Sequence, residues 1–169
     1  MKLVLVRHGD AGDANEFAQT GQPDHLRPLS DKGREQMRAV AEGLLKLVPK
    51  CDVVATSPYT RAMQTTEIVL AAYERSDAET TSVLEPEAQP SAFEVWIEEH
   101  SSAHVVIVVG HEPHLGLLAT WLMTGSGRSR VEFKKGGACL LAFDGVATQD
   151  RGILQWLMGP KELAAVGAA

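Results

Sequence analysis

Three stretches of this chain are continuously apolar, and each ends abruptly in polar residues. Leu3-Val4-Leu5-Val6 runs into Arg7-His8-Gly9, Val53-Val54-Ala55 into Thr56-Ser57-Pro58, and the run from His104 to Val109 into Gly110-His111-Glu112-Pro113. Unbroken apolar runs of this length predict strands buried on both faces, as at the centre of an α/β sheet. Between them the apolar positions recur at helical spacing. Met37, Val40, Ala41, Leu44, Leu45 and Val48 predict a helix from Asp31 to Val48, opened by Ser30 as N-cap. A second helix is expected over Tyr59 to Tyr73, a modest one over Ser91 to His100, and another carrying Leu115, Leu118, Ala119 and Leu122, which ends in Gly125 to Arg130. Asp10 to Leu29, with Gly12, Gly21, Pro23 and Pro28, reads as a long loop. Glu74 to Pro90 is acidic and irregular with a short strand at Ser82 to Leu84, and further strands are expected at Val131 to Phe133, Gly137 to Phe143 and Ile153 to Met158. The alternation predicts an α/β fold: a three-layer αβα arrangement with a mainly parallel central sheet and helices on both faces. No repeat or linker divides it, so residues 1–169 are expected to form one domain.

Composition narrows the classes. A chain of 169 residues buries roughly 70% of its unfolded surface without a staple. Its two cysteines, Cys51 and Cys139, lie in apolar settings with no metal-ligand or redox spacing, so neither a disulfide nor a metal site is expected. The opening residues hold too short an apolar core for a signal peptide, and no segment reaches the length of a membrane span. A cytoplasmic, monomeric protein with no membrane contact is the expectation. Net charge of -6 with scattered arginines argues against nucleic acid.

The chemistry is expected where the strands end. Ligands of open α/β sheets bind at the carboxyl ends of the strands, and there the chain presents Arg7 with His8, Arg61 in the first turn of a helix, and His111. Helix starts favour anions. Two arginines and two histidines without clustered carboxylates suit an anion better than a metal, and no cofactor is implied. A phosphoryl group fits, since its transfer is catalysed mainly by positioning and electrostatic stabilisation. Arg7, Arg61 and His111 would bind its oxygens while His8 attacks phosphorus.

The residues also carry a resemblance. Arg7-His8-Gly9, the segment Ser57-Pro58-Tyr59-Thr60-Arg61-Ala62-Met63-Gln64-Thr65 and Gly110-His111 match, in order, the motifs of the histidine phosphatase superfamily, whose fold is phosphoglycerate-mutase-like. Arg7 to Ala11, Arg27 to Ser30, and Trp156, Met158 and Pro160 resemble the SixA-type bacterial phosphohistidine phosphatases in particular. The resemblance implies metal-independent catalysis, with neutral His8 forming a phosphohistidine intermediate that water hydrolyses. Arg7 and Arg61 would hold the equatorial oxygens and disfavour imidazolium at His8. A phosphate dianion would keep His111 protonated as a donor, and amides at the helix starts after Ser57 and His111 would complete the cradle.

Family members that cleave P–O bonds use a carboxylic acid between the second motif and the second histidine. Glu85, Glu87 and Glu94 stand there, Glu87 being the first candidate; solvated charge is the alternative, and Asp10 is a further neighbour. The short stretch from Tyr73 to His104 lacks a large cap insertion, so an open site is expected, able to admit a phosphorylated histidine from a signalling phosphotransfer protein. A phosphatase of small phosphomonoesters and a non-catalytic phosphate-binding module are the rival readings. Arg27 is expected either at the rim of the pocket or in a surface ion pair. His25, His100, His104 and His114 read as surface or structural, and Lys134-Lys135 as a charged turn.

Overall fold

Leu3, Val4, Leu5 and Val6 are all fully buried, which requires cover on both sides of the strand they form, β1 (Lys2–Arg7). The computed structural model, which describes residues 1–169, supplies that cover from helices before and after the later strands. In chain order these are α1 (Ala14–Ala18), α2 (Asp31–Leu47), β2 (Val53–Thr56), α3 (Thr60–Ala72), β3 (Glu79–Thr80) and α4 (Pro90–Glu98). They are followed by β4 (Val105–Gly110), α5 (His114–Thr124), β5 (Ala138–Ala142), β6 (Ile153–Met158) and α6 (Pro160–Ala168). The six-stranded sheet has the order β3-β2-β4-β1-β5-β6. Its first four strands are parallel, while β5 and β6 run antiparallel to their neighbours.

Alternation along the strands assigns residues to two cores. Val4 and Val6 join Val40, Leu44, Val69, Leu70 and Leu163, from α2, α3 and α6, on one face. Leu3 and Leu5 join Phe93, Ile97, Leu115, Leu118 and Phe133 on the other, beneath α4 and α5. The three-layer architecture and the mainly parallel sheet agree with the sequence. The pairing also levels the strand ends, because Arg7 sits opposite Gly110 and Thr56 opposite Val109. Whatever follows β1, β2 and β4 therefore meets at one edge.

Helix limits follow local chemistry. Ser30 Oγ accepts the Gly33 N–H at 3.0 Å and opens α2, as expected. Gly125, in the left-handed conformation at φ 68°, closes α5.

Several expectations are corrected. The Asp10–Leu29 loop holds α1, capped by Asp13, and a 3-10 turn at Asp24–Leu26. Ser82–Leu84 is a 3-10 turn, and the neighbouring strand is β3 instead. Val131 to Phe133 is no strand: the Phe133 amide donates to the Glu112 carboxylate and its carbonyl accepts from Arg7, so side chains take the bonds that a ladder would use. Helix α6 was not expected. It packs on α2 at Gly43, where an added Cβ would lie 2.0 Å from the Leu163 carbonyl oxygen. No helix is long and apolar enough to cross a membrane.

Candidate active site

The parallel strand ends bring Arg7, His8, Arg61 and His111 into one cleft of about 330 Å³, lined also by Asp13, Arg27, Glu112 and Lys135. His8 and His111 are buried, with ring centroids 4.9 Å apart.

His8 is held in one tautomer. Its Nδ1 lies 2.7 Å from the Gly9 carbonyl, which only accepts, so the ring proton is on Nδ1 and Nε2 keeps its lone pair. Arg61 Nε–H donates to that lone pair at 3.2 Å. Burial first, then the charges of Arg61, Arg7 and Arg27, lower the His8 pKa to about 3, with the Gly9 hydrogen bond acting in the opposite direction. The ring is neutral across the physiological range.

Alternation along β1 continues into this pair. His8, next in parity after Val4 and Val6, meets Arg61 on α3, whereas Arg7, in parity with Leu3 and Leu5, donates through Nη1 to Phe133 of the opposite core. Thr65, one helical turn after Arg61, accepts the Gly9 N–H at 3.1 Å and donates to the Arg61 carbonyl at 2.8 Å. It joins the start of α3 to the end of β1.

Arg61 is buried, and Asp24 takes up part of its outer edge. Nη1 donates to the Asp24 carbonyl at 2.9 Å, Nη2 pairs with the Asp24 carboxylate at 3.0 Å, and the guanidinium lies 4.9 Å from the Tyr59 ring centroid. Arg27 fulfils both of its readings: it lines the cleft and pairs with Asp24 at 2.8 Å. Its Nη1 also holds the carbonyls of Ala11 and Gly12.

His111 packs against the Tyr59 ring, and its Nε2 lies 2.8 Å from Ser57 Oγ. Burial, followed by the charges of His8, Arg61, His114 and Arg7, lowers its pKa to about 2. The fold by itself thus favours a neutral ring, whereas the charged form was expected beside a phosphate dianion. The Tyr59 amide at the start of α3 donates to Ser57 Oγ at 3.3 Å.

The expected acid is not here. Glu87 is exposed on a turn, and neither it nor Glu85 lines the cleft; Glu94, on α4, accepts the Gln149 amide. Asp10 is engaged by Lys135 at 2.7 Å and Ser30 at 2.9 Å, and the Lys135 hydrogen bond leads in lowering its pKa to about 2. The carboxylates that do line the cleft accept main-chain N–H groups: Asp13 those of Asn15 and Glu16, Glu112 that of Phe133.

Sequence reasoning passed over Asp24, Thr65 and Glu112 as site residues, and read Lys135, which lines the cleft, only as part of a charged turn. Asp24 had a local signal, its spacing of three before Arg27. Thr65 lay inside the quoted motif. Glu112 acts through Phe133, 21 positions away, and no local pattern announces such a partner.

Comparison with known proteins bears on family and fold. Residues 3–86 match the histidine phosphatase superfamily (branch 1). An uncharacterized protein of Picosynechococcus sp. is 34% identical over 139 residues, covering 81% of this chain and 82% of that one. The phosphohistidine phosphatase SixA of Escherichia coli (strain K12) is 30% identical over 128 residues, covering 74% of this chain and 76% of SixA. A solved structure of the protein histidine phosphatase SixA complexed with tungstate superposes with a TM-score of 0.80 at 26% identity, covering 96% of this chain and 99% of that one. An α-ribazole phosphatase from Shigella flexneri, 18% identical with a TM-score of 0.74 over 95% and 97% of the two chains, shares the fold. By sequence, fold and the residues gathered at its strand ends, this chain belongs to the histidine phosphatase superfamily, as a SixA-like phosphatase.

Proposed function

We propose that the protein removes the phosphoryl group from phosphohistidine in a protein partner, by way of a phospho-His8 intermediate. One observation carries the reading: an unprotonated Nε2 on His8, faced by a buried guanidinium, in a cleft whose carboxylates are committed as acceptors. In the first step the Nε2 lone pair forms a bond to phosphorus while the P–N bond of the substrate breaks. The leaving imidazole takes up a proton from water, so no acid on the protein is needed. Water then attacks phosphorus, the P–N bond to His8 breaks, its electron pair returns to Nε2, and inorganic phosphate leaves. Arg7, Arg61 and His111 stabilise the charge on the equatorial oxygens throughout, the term that usually dominates such catalysis.

The open edge supports a macromolecular substrate. The segment between α3 and β4 holds only β3, a 3-10 turn and α4, and supplies no residue to the cleft, so a side chain projecting from another protein can reach His8. The likeness to SixA, a phosphohistidine phosphatase, points the same way. A signalling phosphotransfer protein is the substrate we favour.

The test compares a histidine-phosphorylated phosphotransfer protein, labelled with radioactive phosphate, against a panel of small phosphomonoesters. Label should pass transiently to the wild-type enzyme as an acid-labile, alkali-stable adduct and should be absent from His8→Ala. Faster turnover of the small esters overturns the substrate assignment. Phosphate binding without any adduct overturns the catalytic one.

A further inference from the structure

We propose that Ser57 sets the tautomer of His111: its hydroxyl donates to Nε2, the ring proton stays on Nδ1, and Nδ1–H is the group offered to a phosphoryl oxygen. Ser57 is thereby a positioning residue, acting through His111. The inference rests on reading the cleft as a phosphoryl site.

Hydrogen-bond capacity decides the direction of the contact. Ser57 is fully buried, its Oγ lies 2.8 Å from His111 Nε2, and it already accepts the Tyr59 amide at 3.3 Å. Were His111 to donate to it, Oγ would accept twice and its own O–H would be buried with no acceptor. Leaving such a group unpaired is costly. With the hydroxyl donating instead, Oγ and Nε2 are both satisfied, and one ring atom is left over. That atom is Nδ1, which is buried and has no partner in the protein. Arg7 Nε is unpartnered and buried in the same way, and an arginine N–H only donates. Two unpaired donors beside one cleft complement an anion. In the other tautomer Nδ1 would carry a lone pair and repel a phosphoryl oxygen.

The two histidines then share a tautomer and present opposite nitrogens. Gly9 fixes the proton of His8 on Nδ1 and frees Nε2 to attack. Ser57 fixes the proton of His111 on Nδ1 by filling Nε2, which frees Nδ1–H to donate. The Ser57-Pro58 pair at the end of β2 places the hydroxyl where the ring that follows β4 can meet it.

Nitrogen-15 NMR of protein labelled at histidine separates the two neutral tautomers directly. His111 should report a protonated Nδ1 in the wild type. Ser57→Ala removes one oxygen, and the loss of a single neutral hydrogen bond should shift the ratio of Nδ1–H to Nε2–H roughly tenfold toward Nε2–H, with kcat and affinity for inorganic phosphate falling in step with the Nδ1–H fraction. Ser57→Cys, which keeps a weak donor, should fall between the two, and serves if the alanine variant unfolds. A wild-type ring protonated on Nε2 overturns the proposal, as does an unchanged tautomer in Ser57→Ala. A tautomer that shifts while phosphate affinity stays constant overturns the claim that Nδ1–H is the group offered. A shift in tautomer and in phosphate affinity, in a protein that turns over no phosphorylated substrate, refutes the catalytic reading and leaves the role of Ser57 intact.

Discussion

Replacing His114 with leucine should make the protein less sensitive to acid. His114 begins α5, is buried, and has no hydrogen-bond partner at either ring nitrogen. Burial alone lowers its pKa from 6.5 to about 4. The unfolded chain therefore binds a proton below 6.5 that the folded chain refuses until about 4, so stability is complete above the unfolded value and drains away as pH falls through that window. Between pH 7 and pH 5 the loss is about 2 kcal/mol for one such ring. His8 and His111 are shifted in the same direction, so the three together remove about 6 kcal/mol over that interval, comparable to the whole stability of many domains. Urea unfolding followed by circular dichroism at pH 7 and pH 5 measures the effect. Carboxylates titrate alike in both proteins, and so the change in the gap between them isolates His114. His114→Leu should gain about 2 kcal/mol on wild type between the two pH values. At pH 7 the substitution should be neutral or stabilising, because it removes unpaired buried polar atoms. A gap of the same size at both pH values refutes the argument that His114 is buried uncharged.

The remaining predictions concern the cleft and its frame. Because the His8 pKa is held at about 3, kcat/KM should stay level from pH 8 down to about 5 over the range in which circular dichroism shows the protein folded, once the substrate's own ionisation is removed, and a limb near 6.5 would show His8 titrating normally. Arg61→Lys loses the Nε–H aimed at His8 and the paired bonds to Asp24, and steady-state kinetics should show kcat/KM down about 100- to 1,000-fold; a drop smaller than about tenfold argues against the role of the fork. Asp24→Asn keeps the backbone carbonyl but removes the charge shared by Arg61 and Arg27, which should lower kcat/KM by about tenfold or more with little change in melting temperature. Gly33→Ala would bring a Cβ within 2.0 Å of the Asp10 carbonyl oxygen, so α2 must retreat from the loop after His8; chemical denaturation should report a loss of about 1–3 kcal/mol.

What the sequence disclosed depended on whether a contact leaves a pattern. β1 and β4 were legible because burial on both faces demands unbroken apolar runs. Arg7, His8, Arg61 and His111 were legible because each stands at a strand-to-helix junction, which the patterning locates. Helix α6 was not, since its buried positions are only Pro160 and Leu163, and its seat on α2 depends on a side chain missing at Gly43. Val131 to Phe133 read as a strand because nothing local shows that Glu112 and Arg7 claim its backbone. Asp24 was lost for a related reason: its decisive partner, Arg61, lies 37 positions away and is reached only when the loop folds back over α3. Glu87 was nominated by its place in the order of motifs, but the segment that carries it stays outside the cleft.

The parity of β1 ties chemistry to folding in a way that reaches beyond either. Leu3 and Leu5 serve one core and Val4 and Val6 the other, and the same alternation sends Arg7 toward Phe133 and His8 toward Arg61. Inserting or deleting one residue within this run would reverse the assignments on one side of the change relative to those on the other. Such a chain could not bury the whole strand and still bring His8 to Arg61. The parity of β1 and the assembly of the cleft therefore stand or fall together.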